Sequence, residues 1–218
     1  MTAAIAPAKP RLRGWLHLAT APLALFGGLV LTARGTTYSH RLSIAIFTAT
    51  ACLMFGTSAV YHMGTWSPRV VAVLRRMDLA NIALIIAGTY TPIAVSVLPH
   101  ARAVILLWVV WVFTAIVVVS SAAGHVTGLK APRWLYTGTY IVLGWTAVFW
   151  FEDLWRFGGI LNFLLILIGG VLYTAGGVVY ALRRPVLRPS TFGFHELFHA
   201  CTVAAFACHF VAVARIAA

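Results

Sequence analysis

The chain has 218 residues, of which 61% are hydrophobic and only 9% are charged. Because a water-soluble globular domain carries about 25% charged residues, this composition excludes that class and indicates a membrane protein. Sixteen Lys and Arg against four acids give a formal net charge of +12. These basic residues stand between apolar runs, so we attribute them to membrane topology and anionic lipid and expect no nucleic-acid partner.

Seven apolar stretches have about the 20 residues that a transmembrane helix requires. In chain order they are 14–33, 42–64, 78–98, 102–123, 134–151, 158–182 and 194–214. Short loops rich in Gly, Pro and Arg connect them. The pattern predicts an all-α fold, an integral membrane bundle of seven transmembrane helices. Residues 14–218 form its single membrane domain, and residues 1–13 form a basic cytoplasmic tail.

The basic residues divide unequally between the two sides of this predicted bundle. One side receives eleven of them: Lys9, Arg11, Arg13, Arg69, Arg75, Arg76, Lys130, Arg133, Arg183, Arg184 and Arg188. The other side receives five: Arg34, Arg41, Arg102, Arg156 and Arg215. The positive-inside rule therefore predicts a cytoplasmic N-terminus and an outside C-terminus. We expect a multi-pass protein of the plasma membrane whose inner basic residues meet anionic inner-leaflet headgroups.

Ionisable residues inside membrane spans are costly and mark functional sites by default. Here they are His17, His62, Asp78, His195, Glu196, His199 and His209, with Ser58 as a neutral companion. In the predicted topology the second span ends near His62, the third begins at Asp78, and the seventh begins near His195. At 1.5 Å per residue these groups lie within roughly 10 Å of the cytoplasmic boundary. Three spans therefore bring polar side chains to the same depth.

The spacing of these residues is suited to zinc. His195 and His199 are four residues apart on one helix face, a common arrangement for binding Zn²⁺, and His62 would supply a third imidazole. A fourth position would hold water, whose pKa Zn²⁺ lowers to about 7. Asp78 would act as a general base, and Ser58 would orient a ligand or donate to a developing oxyanion. The alternative is a buried polar network that fixes helix packing without a metal.

The other ionisable residues receive different interpretations. His209 is 14 residues beyond His195, about 21 Å along a helix, and cannot share the same ion. A lone histidine in a first turn, such as His17, is predicted to be interfacial, and the alternative is that it approaches the site. Glu196 points about 100° away from His195 and is expected to complement the positive end of its helix. The remaining histidines belong to loops or their borders: His40, His100 and His125.

Two motifs carry a resemblance to a known family. The segment "SAVYHMGTWSPRVVAVLRRMDLANIALIIAGTYTPIA" resembles the first signature of the haemolysin III family, S-x-x-x-H followed by an Asp that opens the next span. The segment "FGFHELFHACTV" resembles its last signature, H-x-x-x-H, and "LRGWLHLATAPLALFGGLVL" also fits. This family is related to the progestin and adipoQ receptors, including the adiponectin receptors. With the alkaline ceramidases it belongs to a wider superfamily of membrane hydrolases.

The resemblance implies a seven-helix bundle with an intracellular N-terminus and a zinc ion near the cytoplasmic side. Its metal ligands would be His62, His195 and His199, Asp78 would hold the zinc-bound water, and Ser58 would be the superfamily's serine. The expected function is zinc-dependent hydrolysis of a lipid amide or ester, with membrane lipids as substrates. Two alternatives stay open: a membrane-active haemolysin or pore, and a receptor-like regulator with a structural zinc.

Overall fold

The computed structural model describes residues 10–127 and 132–216, and these residues are almost entirely helical. The helices are α1 (Trp15–Arg34), α2 (Tyr38–Met63), α3 (Pro68–Val97), α4 (His100–Thr127), α5 (Arg133–Gly144), α6 (Phe151–Gly158), α7 (Ile160–Leu182) and α8 (Phe194–Ile216). A 3₁₀ segment, Trp145–Trp150, joins α5 to α6. Within the described ranges there is no β-strand, only an isolated bridge between Arg188 and Phe192. The all-α prediction is confirmed.

Five helices in the described part of the chain are long and apolar enough to cross a membrane. They are Trp15–Arg34, Tyr38–Met63, His100–Ala122, Ile160–Leu182 and Phe194–Ile216. Large apolar side chains such as Leu23, Phe26, Trp108 and Ile116 are exposed on their outer surfaces, as expected where a bundle faces lipid. The chain is a multi-pass helical membrane protein. The count of seven spans and the orientation stay predictions.

The third predicted span, 78–98, corresponds to the C-terminal part of a longer helix. Helix α3 begins at Pro68, where a proline is favoured because the first helical N–H has no intrahelical partner. It packs against α2, α4, α5 and α8, and most of its residues from Asn81 to Val97 are buried. Helix α3 is therefore the central helix of the bundle, and Asp78 lies on it about three turns from its start.

The fifth predicted span, 134–151, is not one continuous helix. The α-helical hydrogen bonding of α5 ends at Gly144, and the chain continues through the 3₁₀ segment into α6. The Tyr90 hydroxyl of α3 donates to the Gly144 carbonyl oxygen at 2.6 Å and accepts from the Ala147 N–H at 2.8 Å. A side chain from a neighbouring helix thus satisfies backbone groups at the break, which would otherwise be costly to bury.

The end of the predicted tail is attached to the α7–α8 connection. The Arg11 N–H donates to the Ser190 carbonyl oxygen at 3.1 Å, and the Leu12 N–H donates to the Thr191 carbonyl oxygen at 3.3 Å. The other residues of that tail, 1–9, lie outside the described residues. Two of the basic residues assigned to the inner side, Lys9 and Lys130, lie outside the described residues. The side chains of His125 and Arg133 also lie outside them.

The glycine pairs of α7 predict close helix packing, and three of the four glycines bear this out. A Cβ at Gly169 would lie 2.2 Å from His209 Nε2, and one at Gly176 would lie 2.9 Å from Cys201 Cβ. At Gly177 the nearest atom would be Thr137 Cγ2 of α5, at 3.3 Å. A Cβ at Gly170 would meet nothing within 4 Å. Helix α7 is therefore pressed against α8 on one face and α5 on another.

We expect Gly169→Ala to destabilise the protein by about 1–3 kcal/mol, because the new methyl group would overlap the buried His209 ring. Thermal unfolding in detergent measures this effect. Gly170→Ala is the matched control: it adds the same methyl group to the adjacent residue, where the space is open, and should unfold like the wild type. Equal unfolding temperatures for the two variants would contradict the packing of α7 on α8.

Candidate metal centre

Three histidines from two helices meet at one end of the bundle. His62 lies in the last turn of α2, His195 in the first turn of α8, and His199 one turn further along α8. One ring nitrogen of each lies within 4.8 Å of the others, and His62 Nε2 and His195 Nε2 are 3.1 Å apart. His62 and His199 are buried and His195 is half-buried. The three imidazoles therefore face one small space.

Helix α3 brings a carboxylate to the same space. Asp78 Oδ2 lies 3.7 Å from His62 Nε2. The other carboxylate oxygen, Oδ1, is buried and has no hydrogen-bond partner within the described ranges. Since a buried carboxylate oxygen without a partner is costly, the position is suited to a proton or to the hydrogen of a bound ligand.

Ser58 lies one turn before His62 on α2 and is 1% exposed. Most buried threonine hydroxyls of this protein donate to a carbonyl oxygen of their own helix, as Thr48 does to Ile44 at 2.8 Å. The Ser58 hydroxyl has no such partner among the described residues. A buried hydroxyl that is not used by its own helix is available to a ligand.

The donor set fits a zinc ion. Three imidazole nitrogens are one of the ligand sets of catalytic zinc sites that keep a fourth position open, and here two helices supply them. The Asp78 carboxylate lies beside His62, and the Ser58 hydroxyl is a buried polar atom one helical turn before His62. His62, His195 and His199 would hold the ion, and Asp78 is near enough to one ligand to act on whatever occupies the open position.

His17 belongs to this cluster, and its interpretation as an interfacial residue is wrong. Its side chain is fully buried, and its ring is stacked on the His199 ring with centroids 3.8 Å apart and planes 9° apart. The contact joins the first turn of α1 to the second turn of α8. Sequence spacing could not reveal it, because it depends on how α1 packs against α8.

Glu196 is buried as well, with 1% of its surface exposed. It forms an ion pair with Arg13 and accepts the Gly193 N–H through Oε2 at 2.8 Å. The second contact agrees with the prediction that Glu196 complements the start of its helix. The ion pair was not predicted, and it fastens the residues before α1 to the helix that carries His195 and His199.

His209 lies away from the cluster. Its Nε2 is 3.1 Å from the Ile166 carbonyl oxygen of α7, and its ring stands 5.6 Å from that of Tyr173. The prediction that it cannot share the ion agrees with this separate environment. His40 lies close to the Thr36 hydroxyl, with Nδ1 3.1 Å from Oγ1.

One cavity lies at the cluster, and a second cavity adjoins the first. The first, of about 480 Å³, is lined by His62, Asp78 and His195 together with the basic side chains of Arg13 and Arg75. The second, of about 160 Å³, extends between α3, α5, α7 and α8 and is lined mostly by apolar and aromatic residues. Three residues belong to the walls of both: Arg75, Leu79 and Tyr180. A polar basin at the histidines therefore adjoins an apolar chamber inside the bundle.

Comparison with known proteins gives a family and relatives that include two bacterial proteins. The model of the family described as Haemolysin-III related matches residues 5–210. "Hemolysin-3 homolog" of Bacillus subtilis (strain 168) is 28% identical over 147 residues, which are 66% of this chain and 65% of that protein. "Hemolysin-3" of Bacillus cereus is 24% identical over 156 residues, 72% of this chain and 69% of that protein. The match thus spans just under two thirds of the first relative.

Proposed function

The chain belongs to the haemolysin III family, and we propose that it is a zinc-dependent membrane hydrolase that cleaves a lipid amide or ester. The observation that carries the proposal is the meeting of His62, His195 and His199, with ring nitrogens within 4.8 Å of one another, beside the Asp78 carboxylate. The adjoining apolar chamber supports a lipid as the substrate, since an acyl chain needs an apolar wall.

His62, His195 and His199 would hold the zinc ion through one ring nitrogen each. When bound, the ion supplies Lewis-acid chemistry: it activates water and polarises a carbonyl group. Asp78 would accept the proton of the attacking water at Oδ1, the oxygen that has no partner among the described residues, and return it to the leaving amine or alcohol. Ser58 Oγ would donate a hydrogen bond to the carbonyl oxygen as negative charge develops there.

The depth of the cluster favours an acyl linkage over a headgroup as the point of cleavage. His62 and His195 lie in the terminal turns of their helices, and His199 lies one turn, about 5.4 Å, deeper. An amide or ester linkage lies at this level of a leaflet, between the headgroup and the acyl chain. Arg13 and Arg75 on the wall of the polar basin would face anionic headgroups. We assign the site to the cytoplasmic leaflet of the plasma membrane on the positive-inside rule.

A second candidate function is membrane lysis, which is favoured by the names of the two Bacillus relatives. An aqueous pore requires polar groups along the length of a bundle. Among the described residues, buried threonines such as Thr48, Thr89 and Thr202 are bonded to their own helices. The buried ionisable groups of the cluster lie at one end. This distribution supports hydrolysis over a pore.

The experiment that separates these functions uses the purified protein in liposomes loaded with a fluorescent dye and containing an N-acyl sphingoid lipid or a fatty-acid ester. We expect zinc-dependent release of fatty acid and no dye leakage beyond that of liposomes with His62→Ala. Leakage that is equal in wild type and His62→Ala, without fatty-acid release, would favour lysis. Bound zinc with neither release nor leakage would favour a receptor-like regulator with a structural zinc.

A further inference from the structure

His17 is a buried imidazole that has no role in the hydrolysis proposed above. It lies in the first turn of α1 and is fully buried. The ring is stacked on that of His199 with centroids 3.8 Å apart, and the Phe55 ring of α2 is nearly perpendicular to it with centroids 5.1 Å apart. The side chain thus lies where α1, α2 and α8 meet, directly against one of the three clustered histidines.

Both ring nitrogens of His17 are buried, and neither has a hydrogen-bond partner within the part of the chain that the structure describes. A phenylalanine would fill the same space against Phe55 and His199 without burying polar atoms. Burying an imidazole there is costly unless a nitrogen forms a hydrogen bond. The polarity of His17 therefore needs a partner that is not a protein side chain or backbone group of this region.

The stacking geometry indicates where that partner lies. Because the two rings are nearly parallel and their centroids are 3.8 Å apart, the His17 ring covers one face of the His199 ring and so is in direct contact with a member of the three-histidine set. The set of ring nitrogens that lie within 4.8 Å of one another comprises His62, His195 and His199 without His17. His17 is therefore outside the ligand set but close to what that set would hold.

We infer that His17 is a fourth functional imidazole of this site, which donates a hydrogen bond to the oxygen of a ligand held by His62, His195 and His199. The ligand class is an oxygen donor, either water or an acyl carbonyl. The inference rests on the proposed function, because it requires a metal at the three histidines. His17, which lies on α1, orients that oxygen through the hydrogen bond.

The start of α1, which carries His17, is fixed in position by contacts with α2 and α8. Gly14, with φ of +88°, begins the helix, and a Cβ there would lie 3.0 Å from His62 Cβ. On the other side, the Arg13–Glu196 ion pair joins the preceding residue to α8. The turn that carries His17 is thus fixed against both helices that supply the clustered histidines.

The test compares His17→Phe, which keeps an aromatic ring for stacking, with His17→Gln, which keeps a hydrogen-bond donor. Each protein is loaded with Co²⁺ in place of Zn²⁺, and acetohydroxamate is titrated against the visible absorption of the metal. We expect both variants to retain the metal. His17→Phe should bind acetohydroxamate at least about tenfold more weakly than the wild type, because a hydrogen bond to a charged oxygen is lost. His17→Gln should lie between them.

His40→Gln is the control, because it changes an imidazole that is outside the cluster and lines neither cavity, and it should bind like the wild type. Acetohydroxamate affinity that is unchanged in His17→Phe would overturn the inference and leave the proposed function intact. So would loss of the metal from both His17 variants, because His17 would then be needed for metal binding itself. A wild-type protein that binds no metal would overturn the inference together with the proposed function.

Discussion

Replacing His199 with alanine is expected to abolish metal binding and lipid hydrolysis together. The His199 ring is the centre of the cluster: its centroid lies 4.5 Å from that of His195, 5.2 Å from that of His62 and 3.8 Å from that of His17. Loss of a group that only supports a metal ligand costs about 10–100-fold in affinity, so loss of the ligand itself should cost more. Zinc per chain and fatty-acid release measure the two effects.

The control for His199→Ala is His40→Ala, which removes an imidazole that is not part of the cluster. His40→Ala should retain wild-type zinc and turnover. Thermal unfolding of both variants in the absence of zinc separates loss of the metal from loss of the fold. If His199→Ala kept about one zinc per chain and normal turnover, the three-histidine site would be wrong.

Replacing Asp78 with asparagine is expected to leave the zinc in place and to remove most of the turnover. Asparagine has nearly the same size and can still form hydrogen bonds, but it cannot accept a proton. General acid–base catalysis contributes about 10²–10⁴-fold to a rate, so kcat for fatty-acid release should fall by that factor while zinc per chain stays constant. Retained zinc with a reduced rate would identify Asp78 as a proton acceptor and not as a metal ligand.

Asp153→Asn is the control for this second experiment. Asp153 is a buried carboxylate paired with Arg102, and neither residue lines the polar basin. Its replacement should lower the stability and leave the catalytic rate per folded molecule unchanged. Asp78→Asn with an unchanged rate would contradict the role of Asp78 as a base, and loss of zinc from Asp78→Asn would make it a metal ligand.

Five of the hydrophobic spans and the meeting of α2, α3 and α8 could be predicted from the sequence. Span length is fixed by bilayer thickness, and the depth of a residue follows from its position along a span. His62, Asp78 and His195 each lie near the predicted end of a span. The order of the spans therefore predicted that the three residues lie at the same depth in the bundle. The separation of His195 and His199 by four residues fixed their common face.

The features that could not be predicted depend on contacts between distant parts of the chain. The break after Gly144 is accompanied by hydrogen bonds from the Tyr90 hydroxyl of another helix. The stacking of His17 on His199 depends on how α1 packs, and an isolated histidine carries no spacing signal. The same is true of Arg13 and Glu196, which are 183 residues apart in the chain and form an ion pair only in the folded bundle.

The measurement that tests the central claim most directly is the zinc content of the wild type and of His62→Ala, determined on the same preparations whose lipid hydrolysis is assayed. The proposed function predicts about one zinc per chain and measurable fatty-acid release for the wild type, and neither for His62→Ala. Chelation should abolish the wild-type activity, and added Zn²⁺ should restore it. Wild-type protein that contains no zinc and still releases fatty acid, or equal zinc in both proteins, would contradict the claim.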